Sequence, residues 1–385
     1  MVRAFFCGQE LPRYITHTNL TLIPKKESIG TFGDLRPISL STFVNKIISK
    51  VVQEMMVIVL PEIISTNQTG FVRGRSITEN ILLAQEIIRD IHIRDKLHNV
   101  VVKLDMTKAY DKVSWKYLLK VLRCFGFSER IIDRVLRLIS NNWYSVLVNG
   151  QSFGFFQSSR GLKQGDPLSP TLFIIAAEVL SRSLNKLFED QEFRGYGMPK
   201  WSPKINHLSY ADDTILFCSG QPKSMRKMMK ILKRYELVSG QLINLDKSLV
   251  YLHEKIPIGV SYQIRKIIGI RMGSFPYTYL GCPMFYGRKN KSHFEGLVQK
   301  MAKRIHSWHN RFLSFGGRQV LISHVLQSIP IYVLSAMNPP KGVINQLHKL
   351  FAKFFWGNSI GSKNKHWVSW ENMCYPKSEG GIGFR

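Results

Sequence analysis

Tyr210-Ala211-Asp212-Asp213 lies between two short runs, Asn206-His207-Leu208-Ser209 before it and Thr214-Ile215-Leu216-Phe217 after it. The pattern predicts two strands joined by a tight turn, with adjacent carboxylates at the tip of the hairpin. Two bare carboxylates about 4 Å apart repel each other by roughly 4 kcal/mol at an effective dielectric constant near 20. A divalent cation relieves that repulsion, and oxygen ligands of this kind suit Mg²⁺. Taken alone, a solvated acidic turn is the plain alternative.

Another acid follows an apolar run far earlier in the chain. Asn99-Val100-Val101-Val102-Lys103-Leu104-Asp105 predicts a buried strand that ends at a carboxylate. Phe43 to Leu60 predicts a helix that Pro61 stops. The helix after Asp105 is expected to be capped by Ser114 and to stop at Gly126, and Asn149-Gly150 predicts a hairpin turn. A further helix is expected to have Ser169 as its cap and Pro170 as its first residue. This order predicts an α+β fold in which Asp105 and Asp212 share one face of an antiparallel sheet while helices cover the other.

Length and composition are those of a globular protein. The chain has 385 residues, of which 44% are hydrophobic and 21% charged, which is enough for two or three domains. We expect no membrane partner, because no uninterrupted apolar run approaches about 18 residues. The longest candidate, residues 172–177, stops at Glu178. The five cysteines are scattered and form no C-x-x-C, which argues against a disulfide framework or a zinc site.

The charge of the chain points to a polyanionic partner. Lys and Arg number 54 against 26 acids, a net charge of 54 − 26 = +28. Residues 281–385 contain 15 Lys or Arg and 3 acids, a local net charge of 15 − 3 = +12. No helix pairs a fully basic face with a fully apolar one, so nucleic acid is favoured over a membrane surface.

Seven blocks extend these motifs over nearly the whole chain. They are, in order, Leu22-Ile23-Pro24-Lys25-Lys26, residues 34–40 (DLRPISL), residues 103–113 (KLDMTKAYDKV), residues 160–170 (RGLKQGDPLSP), Tyr210-Ala211-Asp212-Asp213, residues 239–248 (SGQLINLDKS) and Tyr279-Leu280-Gly281. Together they resemble the reverse transcriptase domain of LINE-type, non-LTR retrotransposons, and plant-like versions in particular.

The resemblance implies a right-hand polymerase that is truncated at both ends. Residues 1–98 would form partial fingers with the start of the palm. Residues 99–285 would form an antiparallel-sheet palm with the catalytic motifs. Residues 286–385 would form a mainly helical thumb and a truncated C-terminal extension.

The implied activity is that of an RNA-directed DNA polymerase, a nucleotidyltransferase. Its partners would be an RNA template, a DNA primer and deoxynucleoside triphosphates. Two Mg²⁺ ions, with Mn²⁺ as a possible substitute, would clamp the attacking and leaving oxygens. Asp105, Asp212 and Asp213 would be catalytic and would ligate the metals together with the carbonyl of Met106. A strand-end acid that caps the next turn is the structural alternative for Asp105.

The resemblance also assigns residues that contact the nucleotide, which are Lys25, Arg36, Tyr110, Gln164, Gly165 and Lys247. Tyr110 would lie under the incoming sugar and clash with a 2′-hydroxyl; otherwise it is an aromatic core residue. Lys25 and Arg36 would hold the triphosphate, unless they belong to a basic surface loop. Gln164 and Gly165 would contact the nucleotide and let the template backbone pass closely. Lys247 would protonate the leaving pyrophosphate, with a structural role as the equal alternative.

In the predicted thumb, four side chains would face the primer–template, namely Lys303, Trp308, Arg311 and Arg318. Such contacts are largely independent of sequence and sensitive to salt. A solvated basic helix face is the alternative for each. Two other functions stay open for the chain: a catalytically inactive nucleic-acid-binding remnant of a retrotransposon and, with less support, an intron maturase. A nuclear rather than cytoplasmic location is implied by the family only.

Overall fold

The computed structural model describes residues 1–93, 98–309, 313–357 and 367–384 as a mixture of helices and strands. The helices are α1 (Val2–Phe6), α2 (Arg13–Thr16), α3 (Phe43–Val57), α4 (Leu60–Ile63), α5 (Ile77–Arg89), α6 (Trp115–Cys124), α7 (Glu129–Ser140), α8 (Ser169–Asn185), α9 (Pro222–Ser239), α10 (Ile258–Ile268), α11 (Glu295–His309), α12 (Phe315–Leu321), α13 (Ser328–Met337), α14 (Lys341–Trp356) and α15 (Trp370–Cys374). The strands are β1 (His17–Pro24), β2 (Leu35–Ser41), β3 (Asn99–Leu104), β4 (Trp143–Val148), β5 (Gln151–Gln157), β6 (His207–Tyr210), β7 (Asp213–Ser219), β8 (Leu249–Tyr251), β9 (Arg271–Met272), β10 (Tyr277–Tyr279) and β11 (Cys282–Met284). The predicted α+β class is confirmed.

The chain forms two units. The first contains Met1–Asn80 and Ile91–Gly273, and the second contains Ile81–Asp90 and Ser274–Arg385. The division of residues 1–98, 99–285 and 286–385 into fingers, palm and thumb stays a prediction.

A five-stranded sheet in the first unit carries the predicted acids. Its strand order is β6-β7-β3-β8-β9, and β3 runs antiparallel to both β7 and β8. Val100, Val102 and Leu104 pack in one core cluster with residues of α8, α9 and α10. Because side chains alternate along a strand, the next odd-numbered position, Asp105, projects to the opposite face. The helices therefore cover the face that carries Val100, Val102 and Leu104, while Asp105 lies at the end of the opposite face, on which Val101 and Phe217 are also buried.

A second sheet of the first unit has the order β2-β1-β4-β5. β1 pairs antiparallel with β2 and parallel with β4, so the two strands that carry Lys25 and Arg36 near their ends belong to one hairpin. The β4–β5 hairpin turns at Asn149-Gly150, both at positive φ, as the sequence predicts. All seven residues of β5 are exposed.

The second unit is mainly helical with a short β10–β11 hairpin. Its core joins α11, α14 and the segment from α12 to α13. Among the described residues the core members are Met301, Ile305, Trp308, Ile322, Leu326, Leu347, Phe351, Phe354, Phe355, Met373 and Phe384.

Helix boundaries differ from the sequence prediction at two prolines. The helix predicted to run from Phe43 to Leu60 ends at Val57, and Pro61 lies in the first turn of α4 instead of stopping α3. Proline is tolerated there because first-turn N–H groups have no partner within the helix. Ser169 is the first residue of α8 and not its cap, and Pro170 again occupies the first turn.

One helical stretch of the described chain, Phe315–Met337, reaches membrane-spanning length, with a mean hydropathy of 1.6. This stretch contains no long uninterrupted apolar run, because Arg318 and His324 divide the sequence while the average hydropathy stays high. Length and composition alone give this result: 33% of the apolar window is buried, and Ile322 and Leu326 within it are fully buried in the core of the second unit.

Candidate active site

Three carboxylates converge at the ends of adjacent strands. β6 and β7 form the predicted hairpin, with Tyr210 opposite Asp213 and with Ala211 and Asp212 in the turn. Leu104 on β3 pairs with Thr214 on β7. The residues that follow and precede this pair, Asp105 and Asp213, therefore lie side by side at the same end of the sheet.

The acids influence one another electrostatically. Although Asp212 is exposed, desolvation by the surrounding protein raises the pKa of its carboxyl group, and the negative charge of Asp105 raises it further while Arg36 opposes the change. Desolvation also raises the pKa of Asp213. The negative charge of Asp212 raises it further, and the positive charge of Lys103 opposes the shift. Like charges held together in this way create a site of negative potential that favours a cation.

The backbone around Asp105 is fixed by the segment that leads into β8. The Ser248 hydroxyl accepts a hydrogen bond from the Asp105 N–H at 3.0 Å, and the Asn244 N–H donates to the Asp105 carbonyl at 2.8 Å. The Thr107 N–H donates to the Leu242 carbonyl. Met106 therefore lies alongside this segment, between the hydrogen bonds made by its two neighbours. Because successive carbonyls of an extended chain alternate in direction, the Met106 carbonyl points away from that segment.

The donor chemistry fits Mg²⁺, although the protein groups form an open site. Within the described ranges no three His, Cys, Asp or Glu side chains enclose a metal position. Mg²⁺ usually binds through one or two carboxylates and completes its shell with water and substrate phosphates. Asp105, Asp212 and the Met106 carbonyl offer oxygen ligands of that kind.

Tyr110 lies next to this cluster. Its ring stacks on Phe173 with centroids 4.7 Å apart and an interplanar angle of 15°. Burial raises the pKa of the Tyr110 hydroxyl, and the charge of Asp212 adds to the shift. The ring is therefore fixed on one face by α8 and close enough to sense the hairpin acid.

The block at residues 160–170 packs directly on the turn after β3. Gly161 N–H donates to the Val113 carbonyl at 2.8 Å, and Leu162 N–H donates to the Tyr110 carbonyl at 2.9 Å. A Cβ on Gly161 would lie 2.6 Å from the Asp111 carbonyl oxygen, and its φ of +89° favours glycine.

Gln164 and Gly165 continue this contact toward β2. The Gln164 amide donates to the Asp111 carboxylate at 3.3 Å, and its carbonyl accepts from the Ser39 N–H at 2.9 Å. Gly165, at φ +98°, lies against the Ser39 carbonyl. These two residues therefore join the β1–β2 hairpin to the turn that holds Tyr110.

Lys25 and Arg36 are both exposed on the β1–β2 hairpin, where Ile23 pairs with Arg36. The positive charge of Arg36 favours the ionised form of Asp212 and so lowers its pKa, and the positive charge of Lys25 lowers the pKa of Asp111 in the same way. The Lys25 ammonium also donates to the Gly33 carbonyl at 2.9 Å. Arg36 thus lies near the acidic end of the sheet, and Lys25 lies near the turn after β3.

Lys247 lies in the segment before β8. Its N–H donates to the Asn244 side chain at 3.1 Å, and its side chain is exposed. It immediately precedes Ser248, which holds Asp105.

Three of the four residues predicted to face the primer–template are described, and they have different environments in the second unit. Lys303 is exposed on α11. Trp308 is 9% exposed and packs against Phe354 in the core of the second unit. Its predicted placement on the nucleic-acid surface is wrong, because α14 buries the apolar area of its ring. Arg318 donates to the Phe355 carbonyl at 3.0 Å. Arg311 lies outside the described residues.

The segment at residues 67–70, which carries no recognisable functional pattern in the sequence, touches the turn of the hairpin. Gln68, 3% exposed, bonds to both backbone groups of Ala211. In the sequence, Asn67-Gln68-Thr69-Gly70 has the composition of an ordinary loop, and only its contact with a residue 143 positions away reveals its place.

Comparison with known proteins agrees with this geometry. Residues 23–284 match the family model described as reverse transcriptase (RNA-dependent DNA polymerase). The transposon TX1 uncharacterized 149 kDa protein of Xenopus laevis is 26% identical over 100% of this chain and 28% of its own length. The Pol polyprotein of retrotransposable element R2 from Popillia japonica is 34% identical over 36% of this chain and 22% of its own length. The chain thus spans about a quarter of these curated relatives.

A solved telomerase from Candida tropicalis, in complex with a fragment of telomeric RNA, has a similar fold. It superposes with a TM-score of 0.50 at 14% identity, covering 90% of this chain and 54% of that one. The match to the family model covers more than half of the chain, and the relatives are proteins of non-LTR elements. The chain therefore belongs to the reverse transcriptase family and is similar to the LINE-type members of that family.

Proposed function

We propose that this chain is an RNA-directed DNA polymerase that extends a DNA primer on an RNA template. The observation that carries the proposal is the convergence of Asp105, Asp212 and Asp213 at one end of a sheet, beside Tyr110 and opposite the exposed Arg36. This set offers acids for metal ions, a ring for the sugar and a cation for the triphosphate.

The residues divide the work of phosphoryl transfer among them. When bound, two Mg²⁺ ions supply charge stabilisation to the attacking and leaving oxygens. Asp105, Asp212 and the Met106 carbonyl would hold them, with Asp213 adding negative charge. Arg36 and Lys25 would bind the triphosphate of the incoming deoxynucleotide, because Arg donates in a planar fork and Lys acts as a point charge.

The remaining assignments orient the reactants. Tyr110, fixed against Phe173, would exclude a 2′-hydroxyl. Gln164 and Gly165 would border the nucleotide from the loop that joins β2 to the turn after β3. Lys247 would deliver a proton to the pyrophosphate from the exposed side of the segment before β8. By family, the place of this reaction would be the nucleus.

Primer extension on an RNA template tests the proposal. We expect wild-type protein with Mg²⁺ and deoxynucleotides to extend a labelled DNA primer, and Asp212→Asn to lose at least about 10³-fold in rate, as expected when a metal-holding charge is removed. Asp133→Asn, an exposed acid on α7, is the matched control and should retain activity. A folded wild type that binds an RNA–DNA hybrid but incorporates nothing would identify the chain as a binding remnant instead.

A further inference from the structure

The side chain of Gln68 holds the peptide groups of the hairpin turn. Its Nε2 donates to the Ala211 carbonyl at 3.2 Å, while its Oε1 accepts from the Ala211 N–H at 2.9 Å and from the Gly70 N–H at 2.8 Å. One buried amide therefore satisfies both backbone groups of the residue that precedes Asp212.

Ala211 needs such support. It adopts φ +54°, a left-handed conformation that a residue with a Cβ rarely takes. Strained backbone of this kind persists only where surrounding contacts over-determine it. Asp212 is the next residue, so the direction of its side chain depends on the conformation of Ala211.

The backbone of the same segment, residues 67–70, lines the outer edge of β6. Ser209 N–H donates to the Asn67 carbonyl at 2.8 Å, and Thr69 N–H donates to the Ser209 carbonyl at 3.0 Å. A Cβ built on Gly70 would lie 2.5 Å from the Ala211 nitrogen. The segment thus fits against the turn without room for a methyl group.

Arg75 in turn fixes this segment. Its guanidinium donates to the carbonyls of Pro61, Ile64, Ser65 and Gln68. A planar donor that bonds four carbonyls of one loop leaves the loop little freedom. The position of Gln68 is therefore fixed by Arg75 in addition to the backbone hydrogen bonds of its own segment to β6.

We propose that Gln68, supported by Gly70 and Arg75, is a positioning residue that fixes Ala211 and thereby aims Asp212 at the metal ions. The inference rests on the proposed polymerase function. Gln68 acts through the backbone of Ala211, so its loss should slow the chemical step without weakening the grip on primer–template.

Two variants test the inference, and the chain offers a matched control. Gln68→Met removes the amide at nearly constant volume. Gly70→Ala keeps the amide but forces a methyl group against Ala211, at a position whose φ is not in the left-handed region. In the second unit, Gln85 bonds both backbone groups of Phe285, at 2.6 and 3.2 Å, so Gln85→Met loses the same pair of bonds elsewhere.

We expect both test variants to lower kcat on the order of 10²-fold, the loss associated with a misplacement of about 1 Å, with an unchanged Kd for primer–template. Amide hydrogen exchange in the peptide covering residues 206–217 should become at least about tenfold faster in both, because two buried hydrogen bonds are lost or distorted. Gln85→Met should change neither quantity.

Unchanged exchange in the hairpin, or an equal loss of kcat in Gln85→Met, would overturn the positioning role. If the wild type extends no primer, the proposed function fails, while hydrogen exchange still decides whether Gln68 fixes the turn. If Gln68→Met does not fold, Gly70→Ala provides the same comparison.

Discussion

At the scale of single residues, Tyr110 offers the sharpest test of nucleotide selection. Its ring lies flat on Phe173 and senses the charge of Asp212, which places it beside the proposed metal ions. We predict that Tyr110→Val admits ribonucleotides, with the ratio of kcat/KM for deoxynucleotide over ribonucleotide falling on the order of 10²-fold. That corresponds to roughly 2.7 kcal/mol of discrimination.

Single-nucleotide incorporation with each substrate measures this ratio. Tyr117→Phe is the control, because Tyr117 also packs against α8 and donates its hydroxyl proton to the Ala176 carbonyl. An unchanged ratio in Tyr110→Val, with normal deoxynucleotide incorporation, would assign Tyr110 to the core alone.

His207 on β6 makes the stability of the hairpin depend on pH. Burial lowers its pKa to about 3, and its ring nitrogens contact the Asn206 side chain at 2.7 Å and Ser181 at 2.5 Å. Between about pH 6.5 and pH 3, His207 is protonated in the unfolded chain, where a His pKa is near 6.5, but stays neutral in the folded chain. The contribution of neutral His207 to the free energy of unfolding is therefore complete above about pH 6.5 and is lost as the pH falls toward 3.

We predict that the wild type loses about 1.6 kcal/mol more than His207→Gln between pH 6.5 and pH 5, because the slope rises from about 0.7 to about 1.4 kcal/mol for each pH unit as the unfolded histidine becomes protonated. Urea unfolding at the two values measures it. Other groups titrate here, Glu178 with its raised pKa among them, so the quantity to compare is the difference between the two proteins. His306→Gln, at an exposed position, should retain the wild-type dependence. Equal losses in wild type and His207→Gln would show that His207 is protonated in the fold.

At the scale of elements, the close contact of residues 160–170 with the turn after β3 should stabilise the fold, so disrupting it should lower the free energy of unfolding. We predict that Gly161→Ala lowers the free energy of unfolding by on the order of 2–4 kcal/mol, since it combines a left-handed φ with a methyl group 2.6 Å from the Asp111 carbonyl. Gly150→Ala has nearly the same φ, +81°, and open space around it. Its free energy of unfolding should fall by only about 1 kcal/mol, because the left-handed backbone strain is then the sole cost.

Urea denaturation of both variants separates the two causes. A loss in Gly161→Ala no larger than that in Gly150→Ala would mean that the 160–170 block yields easily and does not fix the turn. The larger loss would be accompanied by slower primer extension, because Tyr110 and Gln164 are held by the same contact.

Local signals in the sequence were enough for most elements near the site. Ser114 accepts a hydrogen bond from the Tyr117 N–H, as its predicted capping role requires, and Gly126 follows α6 with a positive φ. The apolar run before Asp105 predicted the buried strand β3, and the acidic pair between two short apolar runs predicted the β6–β7 hairpin. These features are set by neighbours in the chain, which is why they can be recognised there.

What the sequence could not supply depends on contacts between distant residues. Trp308 has the basic neighbours expected of a nucleic-acid surface, yet the approach of Phe354 from α14 buries it. Gln68 looks like a loop residue until Ala211 is placed against it. Neither periodicity nor spacing records which distant residue fills the adjacent space.

At the scale of the whole molecule, the net charge bears on the proposed binding of a nucleic-acid template. A charge of +28 predicts that binding of an RNA–DNA hybrid releases counterions and weakens with salt. With about six phosphates neutralised, the association constant should fall on the order of 10³-fold between 50 and 200 mM monovalent salt. Fluorescence anisotropy of a labelled hybrid across this range gives the slope.

The same titration separates binding from catalysis. Asp212→Asn should show the wild-type slope, because Asp212 lies in the proposed metal site and contacts no phosphate of the hybrid backbone. A logarithmic slope below about 2 would mean that the basic residues do not contact the nucleic acid together, since each contact contributes about 0.9 or less. A steep slope shared by both proteins, with primer extension only in the wild type, is the result that a polymerase predicts, because the positive charge would retain the hybrid and the acids would act on the primer end.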